Sequence, residues 1–404
     1  MAARSLLGRK ECVRGVVVEQ RSTEPEALAR RFHADVRKEA RRLMRSSSRV
    51  VDLAVIFPGA LHAIIDPSIA GAQRDRALKL VMEGAQLKHV AAELGLPAWL
   101  RRLPPEAFAG AIPPLPQSDT FARRIVNCMP PSRAASGLWL KTISFVAEAA
   151  HEDFAVWLAI QSLFGDEGDG DPRRMFAVLA AYAWFSGQPF KPAHGLMIVP
   201  WRPEISFETA LCAAKSWLNR IRLTLQLGPG VIQDCWLDRG ECMGLMFTPL
   251  MNAEDLLDEA QGMHNCADQY ADRIARDRCR LWSVRRRNGQ RLATLEIGQH
   301  PHEPSVLAII QLKSRHNLPA PLEVWQAAHQ WMAGQKGLRR APPLAVPSRP
   351  PDIAAWNSLM RPYRTRKGGA PWLPANLSLP ALGALDVEMS ALARRAGVSS
   401  WLFT

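Results

Sequence analysis

The dipeptide Asn288-Gly289 constrains this 404-residue chain more than any other feature. It stands between CRLWSVR (279–285) and RLATLEI (291–297), two runs in which apolar and polar residues alternate. Asn-Gly at such a place is the strongest short-range hairpin signal, because both residues tolerate φ > 0. A third alternating run, VLAIIQLK (306–313), follows a loop holding Pro301 and Pro304. Helical spacing precedes the first strand, in AEDLLDEAQGMHNCADQYADRIA (253–275), and returns after the third in LEVWQAAHQWM (322–332). Residues 244–334 therefore predict a three-stranded antiparallel meander flanked by two helices, an α+β unit.

Strand alternation assigns the faces of that sheet. With Trp282, Val284, Leu295, Ile297, Ile310 and Leu312 towards the core, Ser283, Arg285, Thr294, Glu296, Gln311 and Lys313 share the other face. Two readings follow: a solvated surface with an Arg285–Glu296 cross-strand pair, worth about 0.2–1 kcal/mol, or a polar binding floor for a ligand covered by a helix. In a regular helix over 253–275, Met263, Cys266, Ala267, Tyr270 and Ile274 form one stripe, which buries Cys266, while His264 and Asp268 lie on another side. Residues two apart on a helix do not face each other. A nucleophilic His264–Cys266 dyad therefore requires the helix to break near Gly262 and leave His264 in a turn. If there is chemistry here, His264 is the candidate acid or base, with Cys266 and Tyr270 as accessory groups.

The same residues carry a resemblance. EAQGMHNCADQY, followed by LWSVR, TLEI and IIQLKSRHN, is similar to the PcfJ-like domain, whose pattern runs approximately Glu-Gly, Met-x-His-Cys-Val-x-x-Tyr, then Ser-x-Arg, Thr-x-Glu, and Gln with a later Asn. Met263, His264, Cys266, Tyr270, Ser283, Arg285, Thr294, Glu296, Gln311 and Asn317 stand at the recurrent positions. The chain departs from the pattern where Asn265 separates His264 from Cys266, where Ala267-Asp268 replaces Val-Gly, and where Ser314 stands near a usual Gly. The resemblance implies the context of a conjugative plasmid or other mobile element, and no particular reaction.

Other chemistries find little footing. His264, Cys266, Cys279, His300, His302 and His316 are possible soft ligands, but none is spaced as in a zinc finger, and the deaminase signature is missing. There is no Walker A motif, no GxGxxG after a strand and no Gly-x-Ser-x-Gly elbow, so no metal and no cofactor is expected. Seven scattered cysteines without a CxxC pair, and an N-terminus without a signal-like apolar core, predict reduced thiols and a cytoplasmic location. The most apolar stretch, 50–72, is interrupted by Asp52, Pro58, His62, Asp66 and Pro67, which argues against a membrane span.

The remaining chain is expected to be mostly helical over 51–243, with helices over 74–94, 138–164, 173–185 and 207–227. The acidic loop Asp166, Glu167, Asp169 and Asp171 lacks EF-hand spacing and reads as solvated. Net charge is +13, and residues 1–50 and 333–404 each hold +7. Of the 51 cations 41 are Arg, a bias that a GC-rich coding sequence produces by itself. Residues 1–50 contain a basic amphipathic helix in which Leu28, Phe32, Val36 and Leu43 form a stripe among Arg37, Lys38, Arg41 and Arg42. Such a helix can follow a nucleic-acid backbone or lie on an anionic membrane, and the commoner case is a surface helix whose apolar stripe docks on its own protein. Residues 335–404 read as a basic Pro-rich extended linker, a helix from 381 to 395, and a docked Trp401-Leu402-Phe403 end. Arg361, Arg364, Arg366 and Lys367 around Tyr363, with Trp372 nearby, offer cations for phosphates and rings for bases. Two functions compete: a nucleic-acid-associated binding or adaptor protein that can also engage a protein partner, and an enzyme built on His264.

Overall fold

A computed structural model describes residues 24–398 except 131, 162, 165–170, 229–231, 233 and 341–349. The described residues divide into two compact units, one ending at Pro113 and the other beginning at Pro114. The acidic residues Asp166, Glu167 and Asp169, most of the Pro-rich linker and the Trp401-Leu402-Phe403 end lie outside the described residues.

In the first unit the expected basic helix is two, Pro25–Arg30 and Ala34–Ser46, with a turn at Arg31–His33. Leu28, Phe32, Val36 and Leu43 are all buried, so the apolar stripe packs into its own unit. The arginines outside are partly neutralised: Arg31 pairs with Glu106 at 2.9 Å, Arg42 with Glu39 at 2.6 Å, and Arg45 with Glu26. The apolar stretch from Val50 folds as Ser48–Ile56 and Pro58–Ile65, bent by 117°. No single helix among the described residues is long and apolar enough to cross a membrane.

The second unit is α+β. Its helices include Ser136–Ala149, Glu152–Ala159, Pro172–Ser186 and Phe207–Gln226. The single helix expected over 138–164 breaks because Ala150 leaves helical geometry and the His151 ring accepts from the Phe154 N–H at 3.2 Å, capping the second piece. Likewise, in the first unit, the run over 74–94 is two helices, divided at Gly84. The C-terminal region is more ordered than its composition suggests. It forms Ile353–Arg366 and Leu379–Arg395, and Asp386 of the latter pairs with Lys215 and with Arg222 at 2.8 Å.

The sheet has five strands rather than the expected three: β1 (Gly240–Cys242), β2 (Leu245–Pro249), β3 (Cys279–Arg286), β4 (Arg291–Gln299) and β5 (Leu307–Lys313), antiparallel and in sequential order. Cys242 faces Leu245 across a two-residue loop, and both loop residues, Met243 (φ 51) and Gly244 (φ 74), are left-handed. That is the geometry Asn-Gly usually signals, filled here by Met-Gly, so the hairpin is silent in the sequence. At Asn288-Gly289 the hairpin forms as expected. Gly289 (φ 84) donates to the Arg286 carbonyl at 2.9 Å, giving a three-residue loop with a glycine bulge.

The sheet is covered on both faces. One face packs Phe247, Trp282, Val284, Leu295, Ile297 and Leu312 against Val324, Ala327 and Trp331 of the Leu322–Ala333 helix. On the other, Cys279 and Leu281 join Leu223, Leu256, Ala260 and Ile274 from three helices. Ile310 departs from its assigned place in the core and is 41% exposed. A bulge between Glu296 and Ile297 pairs Ile297 with Ile309, which packs against the core in its stead.

Candidate functional site

The site is built where a helix ends above the polar sheet face. Helix Ala253–Met263 begins with reciprocal capping: Asn252 Oδ1 accepts from the Asp255 N–H at 2.9 Å, and Asp255 Oδ2 accepts from the Met251 N–H at 2.8 Å. It does not run on to 275. His264 takes a left-handed conformation (φ 49), and the chain continues through a turn, a 3₁₀ segment at Ala267–Gln269 and a short helix at Ala271–Ala275. Asn265 fixes the turn by accepting the Ala267 N–H at 3.1 Å. Gly262 stays inside the helix, where a Cβ would come within 2.7 Å of the Arg291 guanidinium crossing beneath it.

The break re-aims the expected stripe. Met263, Ala267 and Ile274 remain buried, whereas Cys266 is only partly so and His264 is exposed. Asn265, Cys266, Ala267 and Tyr270 form one wall of a small, open cleft, whose empty space is about 270 Å³ when the solvent at its mouth is included. Leu281, Thr294, Glu296, Gln311 and Lys313 form its floor, and Asn317 closes a side. Of the expected polar face, Thr294, Glu296, Gln311 and Lys313 reach this cleft; Ser283 and Arg285 lie beside it.

Two buried carboxylates order the floor. Glu259, fully buried on the helix, accepts from the hydroxyls of Ser283 at 2.7 Å and Thr294 at 2.8 Å and from Arg291 Nε at 3.0 Å. Arg285 Nη2 lies 3.5 Å away from it. Glu296, 1% exposed, accepts from the Tyr270 hydroxyl at 3.0 Å and Gln311 Nε2 at 2.8 Å, and pairs with Arg273, whose guanidinium also lies over the Tyr270 ring at 5.1 Å. Gln311 Nε2 donates to the Tyr270 oxygen as well. Thr294 ties the Glu259 group to the turn, since its hydroxyl also accepts from Asn265 Nδ2 at 2.7 Å.

The Arg285–Glu296 pair is absent, because the register sets Glu296 opposite Leu281 and Arg285 opposite Arg291. Arg285 donates instead to Ser283 Oγ at 2.8 Å. Glu259, Arg291, Arg273 and Asn265 are not among the site residues expected from the sequence. A Ser/Thr/Arg face beneath an acidic helix, which calls for a carboxylate to bind it, was the available signal for Glu259.

The thiol and phenol are held protonated. Burial pushes the Cys266 thiol up, with Asp268 adding to the shift and the hydrogen bond to Asn317 opposing it. Burial and then the charge of Glu296 raise the Tyr270 phenol above its ordinary range. Cys266 Sγ bonds to Asn317 Oδ1 at 3.8 Å rather than to His264. The His264 ring stacks instead on His316, centroids 5.0 Å apart and 18° from parallel, outside the cleft lining. Asp268 is buried and pairs with Arg220 at 3.1 Å. Among the described residues no group of three or more His, Cys, Asp or Glu could hold a metal ion.

The proposed nucleic-acid residues are mostly engaged within the protein. Arg37 donates to the Phe32 carbonyl at 3.2 Å, Arg42 is paired with Glu39, and Arg41 is half-buried. Tyr363 is fully buried, its hydroxyl donating to the Ala149 carbonyl at 2.8 Å and accepting from Trp372 Nε1 at 3.0 Å. Trp372 packs edge-on to Phe145. Arg364 holds Asn357 at 2.7 Å, and Lys367 donates to the Ala150 carbonyl at 2.8 Å. These rings and cations fasten Ile353–Arg366 to the end of Ser136–Ala149; Lys38, Arg361 and Arg366 are exposed. No family model, curated protein or solved structure matches the chain.

Proposed function

We propose that this chain is a PcfJ-like binding protein whose recognition element is the cleft between residues 264–275 and the sheet. The observation that supports this reading is that both oxygens of the Glu296 carboxylate are engaged, by Tyr270, Gln311 and Arg273, beside a thiol that bonds to Asn317 and not to a base. Such a network rigidifies a floor for recognition. Nucleophilic catalysis needs a thiolate or an adjacent base, and Cys266 has neither.

The test is protection of Cys266. The full chain is incubated with iodoacetamide while small polar compounds are screened, and modification of Cys266 is followed by peptide mass spectrometry. A compound that slows labelling of Cys266 and not of Cys128 supports the reading. Turnover that is lost in His264→Ala would overturn it in favour of an enzyme.

A second reading, association with nucleic acid, is favoured by the exposure of Lys38, Arg361 and Arg366, for which the described residues show no ion pair. Backbone binding would weaken steeply with salt, and triple replacement of these residues by Gln would flatten that dependence.

A further inference from the structure

We infer that the cleft takes a small molecule through an oxyanion group, a phosphoryl or a carboxylate, anchored on Lys313. The inference rests on the cleft being a binding site and adds the chemistry of what enters it.

Asp258, Glu259, Asp268 and Glu296 each have an arginine, namely Arg291, Arg285, Arg220 and Arg273. Lys313 lines the same cleft, half-buried, and has neither an ion pair nor a side-chain hydrogen bond among the described residues. It is the surplus cation of the site. An ammonium in a partly desolvated cleft without a counter-charge is stabilised by an anion brought from outside.

Hydrogen bonding agrees with charge. The Thr294 hydroxyl is used on both sides, by Glu259 and Asn265. Tyr270 gives its proton to Glu296 and accepts from Gln311. Asn265 Oδ1 and Asn317 Oδ1 accept from the Ala267 N–H and the Cys266 thiol. What remains is the Lys313 ammonium, the Asn317 amide N–H groups and the second N–H of Asn265, against Gln311 Oε1, which has no partner, and one spare lone pair each on Asn265 Oδ1, Asn317 Oδ1 and Glu296 Oε1, so donors still outnumber acceptors. A surface that offers donors and a positive charge matches a group made of acceptors with a negative charge.

Titration calorimetry of the full chain with phenyl phosphate, benzoate and benzamide, together with Cys266 labelling, tests this. Phenyl phosphate or benzoate should bind one per chain and protect Cys266, and which of them does so identifies the oxyanion; benzamide should do neither. Lys313→Gln should weaken binding by roughly tenfold to a hundredfold, as expected for loss of one charge-assisted contact, and Lys336→Gln should leave it unchanged. Asn317→Asp, which adds a carboxylate to the cleft, is the second variant and should abolish binding. Equal affinity in wild type, Lys313→Gln and Asn317→Asp would overturn the inference. Protection by benzamide alone would overturn the oxyanion and leave the cleft as a binding site, whereas failure of all three probes and of the wider screen would remove both.

Discussion

The Glu259 carboxylate and the Thr294 hydroxyl, 2.8 Å apart and both buried, tie the helix before the turn to the centre of the sheet. The same carboxylate serves Ser283 and Arg291, so its removal would leave two hydroxyls and a guanidinium without their acceptor. Glu259→Ala should therefore cost about 3–5 kcal/mol, the range for breaking a buried charged network, read as a lower denaturation midpoint in urea. Glu259→Gln keeps the shape and one acceptor and should lose less. Equal stability of wild type and Glu259→Ala would show that the network does not hold the floor.

Cys266 provides a pH signature. Its thiol is raised by burial, so at pH 8 the folded protein should hold less thiolate than an ordinary cysteine. Alkylation should be slower in the native chain than in urea, and should keep rising with pH beyond the range where a free thiol levels off. Because the folded value lies above the unfolded one, the stabilising contribution is complete below the unfolded pKa. It is lost as pH climbs through the folded one. Cys266→Ser should remove that alkaline loss, measured as the pH dependence of Tm.

Much of the fold was legible because it rests on local chemistry. The Asn288-Gly289 hairpin and the alternation that buries Trp282, Val284, Leu295 and Ile297 depend on neighbours along the chain or directly across a ladder. The errors come from distant partners. Ile310 leaves the core because of a bulge opposite Glu296, and no alternation rule contains a bulge. The helix over 253–275 breaks at His264 although its apolar spacing continues, since the chain must bring Asn265 to Thr294 and Tyr270 to Glu296. The cleft residues on the strands were found from alternation, but the groups that order them, Glu259 and Arg273, sit on helices that read as solvated until they are seen facing the sheet.

Lys367 behaves oppositely to Cys266. Its ammonium donates to the Glu148 and Ala150 carbonyls at the end of Ser136–Ala149, and burial lowers its pKa. A lysine with a depressed folded pKa contributes stability that is present above the unfolded value and is lost as pH falls through the folded one. Lys367→Met should accordingly flatten the rise of stability with pH on the alkaline side, and should loosen Ile353–Arg366, visible as faster hydrogen exchange around Tyr363. An unchanged pH profile would mean that the lysine is solvated.

Met243 tests why the first hairpin could not be read from the sequence. It occupies the left-handed position (φ 51) that Asn fills in the commonest two-residue loops, followed by Gly244 at φ 74. An L residue other than Asn, Asp or Gly pays roughly 1 kcal/mol there, because its Cβ crowds the following carbonyl. The Met243 side chain is 56% exposed, so little apolar burial compensates. Met243→Asn should thus stabilise the chain by about 0.5–1 kcal/mol, seen as a higher urea midpoint with unchanged m-value. It would also make the β1–β2 turn as readable as the turn at Asn288-Gly289. A loss of stability would show that the methionine makes a contact worth more than the strain of its backbone.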